Sequence, residues 1–247
     1  MRPKSQSLFH FTKDLTTLQK ILTGGFWPRY SVEDYNWQAL GPGSIDFAAI
    51  PMVCFCDIPL SRIDEHVAFY GYYGIGLSRE WAESNGLNPL LYIAAENSLA
   101  RSLIGLADVA RKAPGDDALI GGALIQHAAS FMKQTSGKTT RSGTEIEKDF
   151  YQESEWRFVP FHAEIPQILT REKFEDTAFL EQCNSKTQAL ATLKFSLSDV
   201  RYVFVREDSE IPSMINFIQN AMDHHPGAAT KVLMSRVTSL ETLRGDW

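Results

Sequence analysis

The chain has 247 residues; 44% are apolar, 22% charged and 11% aromatic, and 24 Lys and Arg stand against 30 Asp and Glu. That composition is globular, excludes disorder as the main state, and at this length predicts one or two domains. A net charge of −6 excludes a protein that grips nucleic acid over its whole surface, so any such contact must come from a local patch.

In chain order, residues 7–11 read as a short strand ending near His10. Thr12 or Asp14 can cap a helix whose apolar positions are Leu15, Leu18, Ile21 and Leu22, stopped by Gly24-Gly25. Residues 26–51 show no period; Trp27, Tyr30, Tyr35 and Trp37 anchor an ordered loop with a Gly41-Pro42-Gly43 breaker. A strand over 52–58, a helix over 62–70, a glycine-rich strand over 73–77 and a strand over 89–94 follow. Two helices come next, one from Ser98 and one over 116–132, parted by Ala113-Pro114-Gly115.

Residues 133–148 are almost wholly polar and small, which predicts a mobile loop. A strand over 150–161, a helix over 170–181, strands over 192–197 and 200–205 and a helix over 209–225 with Pro212 in its first turn come next. A last strand over 231–234 and a terminal helix opened by Thr238 with Glu241 complete the pattern. With no repeat and no biased linker, the fold class is α+β, one domain over 1–247. The longest uncharged stretch, 118–132, is shorter than the roughly 20 apolar residues of a membrane span. Three cysteines make no disulfide framework, and the N-terminus lacks an apolar leader core, so a cytoplasmic protein is expected.

The chemistry-bearing segment is Tyr151-Gln-Glu-Ser-Glu-Trp-Arg-Phe-Val-Pro160. On a strand Glu153, Glu155 and Arg157 share one face, and Trp156 and Phe158 take the core face. The bland account of such a face is solvated ion pairs. The glycines of Tyr73-Gly-Ile-Gly76 permit close approach of a ligand or another backbone, or simply tight packing. Cys54, Cys56 and His66 lack a well-spaced fourth ligand, so buried thiols are expected and no metal.

The motifs His10-Phe11-Thr12, Cys54-Phe-Cys-Asp-Ile-Pro-Leu-Ser61, Tyr70-Gly-Tyr-Tyr-Gly-Ile-Gly76 and Glu153-Ser-Glu-Trp-Arg157 resemble those of the AbiGi-type abortive-infection proteins of phage defence. More distantly they are similar to ADP-ribosyltransferase-like toxins of the DarT type. That resemblance implies two small β-sheets flanking a cleft for NAD, with NAD as substrate. It implies Glu155 as the catalytic carboxylate, Glu153 as its helper, and His10 with Phe11 and Thr12 on the ribose. It further places Phe55, Asp57 and Arg157 on the cleft wall, with Tyr30, Tyr70 and Tyr73 competing to stack on nicotinamide. Cleaving the nicotinamide–ribose bond builds positive charge on the ribose, which a fixed carboxylate stabilises.

The loop 133–148, ahead of the catalytic strand, would recognise the acceptor. Its Lys138 and Arg141 would form a local phosphate-binding patch, making nucleic acid the favoured acceptor and protein the runner-up. Two other readings stand beside the transferase: a non-catalytic antitoxin or sensor with a cognate partner, and an NAD glycohydrolase.

Overall fold

The computed structural model describes residues 5–33, 47–94, 98–141 and 144–245. Strand β1 (Ser7–Thr12) leads to helix α1 (Leu15–Gly24), whose first turn is capped by the Asp14 carboxylate accepting from the Thr17 amide at 2.8 Å. Strands β2 (Arg29–Glu33) and β3 (Ala48–Cys56) follow, then α2 (Ile63–Tyr70), β4 (Tyr73–Ser78), α3 (Arg79–Ser84), β5 (Asn88–Pro89) and β6 (Leu91–Ile93). Two longer helices, α4 (Ser98–Arg111) and α5 (Asp116–Ala129), precede β7 (Met132–Gln134), β8 (Ser136–Arg141), β9 (Thr144–Asp149) and β10 (Glu155–Phe158). The chain closes with α6 (Arg171–Glu175), α7 (Thr177–Ala191), β11 (Val200–Val205), α8 (Ile211–Ala221), α9 (Gly227–Met234), β12 (Val237–Ser239) and α10 (Leu240–Arg244).

An eight-stranded mixed sheet runs β12-β11-β4-β1-β3-β10-β5, with β2 also paired to β3. The pairing of β11 with β12 is parallel; its other ladders are antiparallel. Six residue pairs join β1 to β4, from Ser7↔Ser78 to Thr12↔Tyr73. The join of β1 to β3 narrows to Phe9↔Cys56. At this seam His10 Nδ1 donates to the Cys54 carbonyl at 2.8 Å, a side chain standing in for ladder bonding.

The two sheet faces carry separate cores. One gathers Leu8, Phe55, Ile75, Leu77, Trp156 and Val203 under α1, α3 and α8. The other gathers Phe9, Phe11, Cys56, Ile63, Val67 and Phe204 under α2 and α10. The glycines of β4 serve this second core: a Cβ on Gly74 would lie 2.5 Å from the Phe11 ring, and one on Gly76 2.9 Å from the Phe9 ring. Of the two uses open to those glycines, tight packing is the one realised.

Several sequence expectations are corrected. Most of the expected loop over 133–148 is strand: β8 and β9 pair in register from Ser136↔Asp149 to Arg141↔Thr144. Within 26–51, β2 pairs along β3 from Arg29↔Met52 to Glu33↔Ala48, so the expected loop begins as sheet. Tyr35, Trp37 and the Gly41-Pro42-Gly43 breaker lie outside the described residues. The expected strand over 192–197 makes an isolated bridge, Phe26↔Leu193, because no neighbouring strand accompanies it. Residues 231–234 finish helix α9. The last helix is capped by Ser239, whose side chain accepts from the Thr242 amide, rather than by Thr238. The expected strand over 150–161 is a 3₁₀ turn (Phe150–Glu153) followed by the shorter β10.

Candidate functional site

Antiparallel register fixes which residues share a face. Glu155 lies opposite Cys56 and Arg157 opposite Cys54, whereas Trp156 lies opposite Phe55. Trp156 therefore takes its expected core face, and Glu155 and Arg157 stand on the other. Glu153 arrives by a different route. It ends the 3₁₀ turn, and Ser154, left-handed at φ 45°, redirects the chain into β10. The carboxylates of Glu153 and Glu155 still converge, because Lys133 on β7 binds both, at 3.2 and 2.8 Å.

Around this pair every charge is matched. Lys148 on β9 binds Glu153 at 2.5 Å and lies over the Phe69 ring at 3.5 Å. Tyr70 donates its hydroxyl to the same Glu153 oxygen. Arg157, fully buried, donates to Glu155 at 2.6 Å, to Glu33 at 2.8 Å and to the Ser130 carbonyl at 3.0 Å. Three carboxylates and three cations thus cancel within one buried network. Buried charges persist only when paired in this way.

Protonation follows from the pairing. Burial by itself would raise the Glu155 carboxyl, but Arg157 and Lys133 override it and hold the group below its ordinary range. Glu153 is likewise lowered against its burial by Lys133, Lys148 and Tyr70. Lys133 is raised despite burial because Glu155, Glu33 and Glu153 surround it. Burial, reinforced by Glu155, raises the Cys54 thiol, which is therefore no thiolate nucleophile. Burial pushes His66, packed on the Tyr70 ring at 4.5 Å, down to about 4.

The other predicted residues scatter. His10 faces away from Glu155, held between the Phe26 and Phe55 rings at 5.2 and 5.6 Å. The expectation that His10 and Glu155 look into one cleft is overturned by the register: His10 belongs to the Phe55 and Trp156 face. Phe11 packs on His66 and Phe204 in the opposite core, and Thr12 ends β1 opposite Tyr73. Phe55 is core, meeting Phe26 and Trp81 edge to face. Asp57 pairs with Arg79 at 2.7 Å. Tyr30 donates to the Pro166 carbonyl at 2.5 Å and Tyr73 to Glu210 at 2.6 Å, both apart from the carboxylate pair. Tyr70 alone of the three tyrosines joins it.

Lys138 is exposed and pairs with Glu145 at 2.7 Å across the hairpin; Arg141 is placed by register opposite Thr144. An open cleft of about 680 Å³ is lined by Trp81, Ser84, Lys194, Phe195 and Arg201, and none of the residues singled out from sequence lines it. Among the described residues no group of three or more His, Cys, Asp or Glu could hold a metal ion, and no helix is long and apolar enough to cross a membrane.

Sequence reasoning missed Glu33 and Tyr92, whose hydroxyl accepts from the Glu155 amide at 2.9 Å, and it left Lys133 and Lys148 inside the expected loop over 133–148. The available signal was indirect: two carboxylates on one strand need cations if that face is buried, and 133–148 is the nearest lysine-bearing segment.

Residues 25–206 match the family described as "Putative abortive phage resistance protein AbiGi, antitoxin", and the chain belongs to that family. It is similar to the protein named "Abortive phage resistance protein AbiGi" from Lactococcus lactis subsp. cremoris, at 27% identity over 251 residues covering 90% of this chain and 99% of that protein. No solved structure matches it.

Proposed function

We propose that this chain acts in anti-phage defence as the antitoxin-type component of an abortive-infection pair, binding a cognate toxin rather than consuming NAD. The carrying observation is the closed network at Glu153 and Glu155. A carboxylate that stabilises a ribosyl cation must present its charge to the ribose; here Lys133, Lys148 and Arg157 already occupy both carboxylates. The family description, which carries the word antitoxin, supports the same reading.

The test pairs two measurements. Co-expression with the toxin of its defence pair should restore growth of a toxin-expressing host. Incubation of the purified chain with NAD should release no nicotinamide. Nicotinamide release that Glu155→Gln abolishes would overturn the proposal.

A second reading, the NAD-dependent ADP-ribosyltransferase with a nucleic-acid or protein acceptor, is favoured by one feature. The sheet narrows at the β1–β3 seam, with Glu155 on the strand beside β3 and Glu153 on the turn that leads into it. It requires Lys133 and Lys148 to withdraw, so it predicts that a partner or acceptor switches the activity on. Transfer of labelled ADP-ribose only in that partner's presence would favour it.

A further inference from the structure

Helix α5, Asp-Asp-Ala-Leu-Ile-Gly-Gly-Ala-Leu-Ile-Gln-His-Ala-Ala, carries no Lys, Arg, Asp or Glu beyond Asp117 and buries none of its residues. One flank meets α4, where a Cβ on Gly121 would sit 3.0 Å from that of Ala110. Off that flank Leu119, Ile120 and Leu124 are exposed by 76%, 58% and 54%, with Ile120 and Leu124 on one side and Leu119 on the other. A helix apolar on all sides is normally enclosed on all sides. Here α4 covers one side, and Phe131, Phe161 and Gln167 reach the last turns.

The uncovered face has a pattern. At 100° per residue Asp117, Ile120, Leu124 and His127 fall in one stripe with the 3-4-3 spacing of a helix-pairing seam. The stripe is palindromic. Laid antiparallel on itself about a twofold axis level with Gly122, it sets Ile120 against Leu124 and Asp117 against His127, each contact occurring twice. Reciprocity of this kind is the signature of an isologous interface. His127 uses Nδ1 on the Gln167 side-chain oxygen at 3.3 Å, which leaves Nε2 to meet Asp117 across the axis. Phe161, packed at a tilt on His127 at 4.5 Å and half exposed, widens the apolar surface at that end.

The area suits a small, weak interface. Ile120, Leu124 and Phe161 expose on the order of 300 Å² per copy, which at a roughly 57% apolar share corresponds to an interface of roughly 500 Å² per partner, at the small end of specific interfaces.

We propose that the occupant of this face is a second copy of the chain, giving a twofold dimer through antiparallel α5 helices. The inference stands apart from the toxin-binding reading, since it uses none of the residues of the charged network.

Sedimentation velocity on the full chain at about 50 µM should give a dimer. Ile120→Asp with Leu124→Asp should weaken self-association by at least about a hundredfold, with the circular dichroism of the folded chain retained because both positions are exposed within one copy. In a second measurement, mixed Ile120→Cys and Leu124→Cys chains should form an inter-chain disulfide faster than either variant alone, and faster than a Leu99→Cys control on α4. A monomeric wild type, or a dimer that survives the aspartates, overturns the proposal. So does cross-linking no faster in the mixture than in the control. A monomer whose complex with the defence partner is lost in the aspartate variant would give the face to that partner instead.

Discussion

Lys133 and Lys138 sit on successive strands and each binds glutamate, yet their surroundings are opposite. Lys133 bridges Glu153 and Glu155 in a pocket where all three side chains are nearly buried. Lys138 meets Glu145 across the hairpin with both side chains about 62–63% exposed. The contact distances are nearly equal, at 2.8 Å for Lys133–Glu155 and 2.7 Å for the exposed pair. What differs is what happens when one partner is removed. In water the survivor is resolvated; in the core it is stranded. The same pair of residue types is thus an architectural tie in one place and nearly inert in the other.

The comparison breaks most sharply at Arg157. Arg157→Ala leaves Glu155 and Glu33 without their guanidinium and the Ser130 carbonyl without its donor. It is expected to cost about 3–5 kcal/mol, read from urea or thermal melts. A loss under about 1 kcal/mol would mean that water reaches the network.

Lys133→Met should cost less, about 2 kcal/mol, because Arg157 still holds Glu155 and Lys148 still holds Glu153. Adding Glu153→Gln should recover part of that loss, since it removes the one negative charge by which the three carboxylates then exceed the two cations. A double-mutant cycle showing simple additivity would deny that Lys133 couples the two carboxylates.

Acid sharpens the contrast further. His66 is held down to about 4 in the fold from an ordinary 6.5. The unfolded chain therefore binds more protons between those values, and stability falls as pH drops through that window. Glu153 and Glu155 are depressed below 4.5, so their contribution is full above that value and is lost as pH falls further. Melting temperature should decline from pH 7 to pH 4 and continue down below it. The His66 ring proton resonance, followed by NMR, should titrate near 4; a midpoint near 6.5 would contradict its burial against Tyr70.

The sequence made part of this legible. Alternation placed Trp156 on the core face and Glu155 and Arg157 opposite, and apolar runs located β1, β4 and β11. Three kinds of information were out of reach. Residues 231–234 form a short apolar run, which periodicity cannot assign between strand and helix, and the helix won. The β8–β9 hairpin is polar on both faces, so no apolar period marks it, though its opposed Lys138 and Glu145 hinted at cross-strand pairing. Lys148 and Glu33 reach the carboxylates only through tertiary folding. His10 was misplaced for a similar reason: its sheet face depends on the register of β1 against β3, which one short strand cannot reveal.

The smallest expected effect belongs to the exposed pair. Lys138→Ser removes a hydrogen-bonded cation from Glu145, but both partners lie in solvent and neither supports a buried group. The hairpin keeps its ladder, whose backbone bonds run from Ser136↔Asp149 to Arg141↔Thr144 without help from this side chain. The melting temperature should move by no more than about 2 °C, and less still in high salt, where exposed pairs are already screened. The same substitution leaves the Lys133 network untouched, so the acid profile should overlay that of the wild type. A drop comparable to that of Lys133→Met would mean that the hairpin is held by its surface charges. The contrast between buried and exposed pairs would then fail at its weaker end.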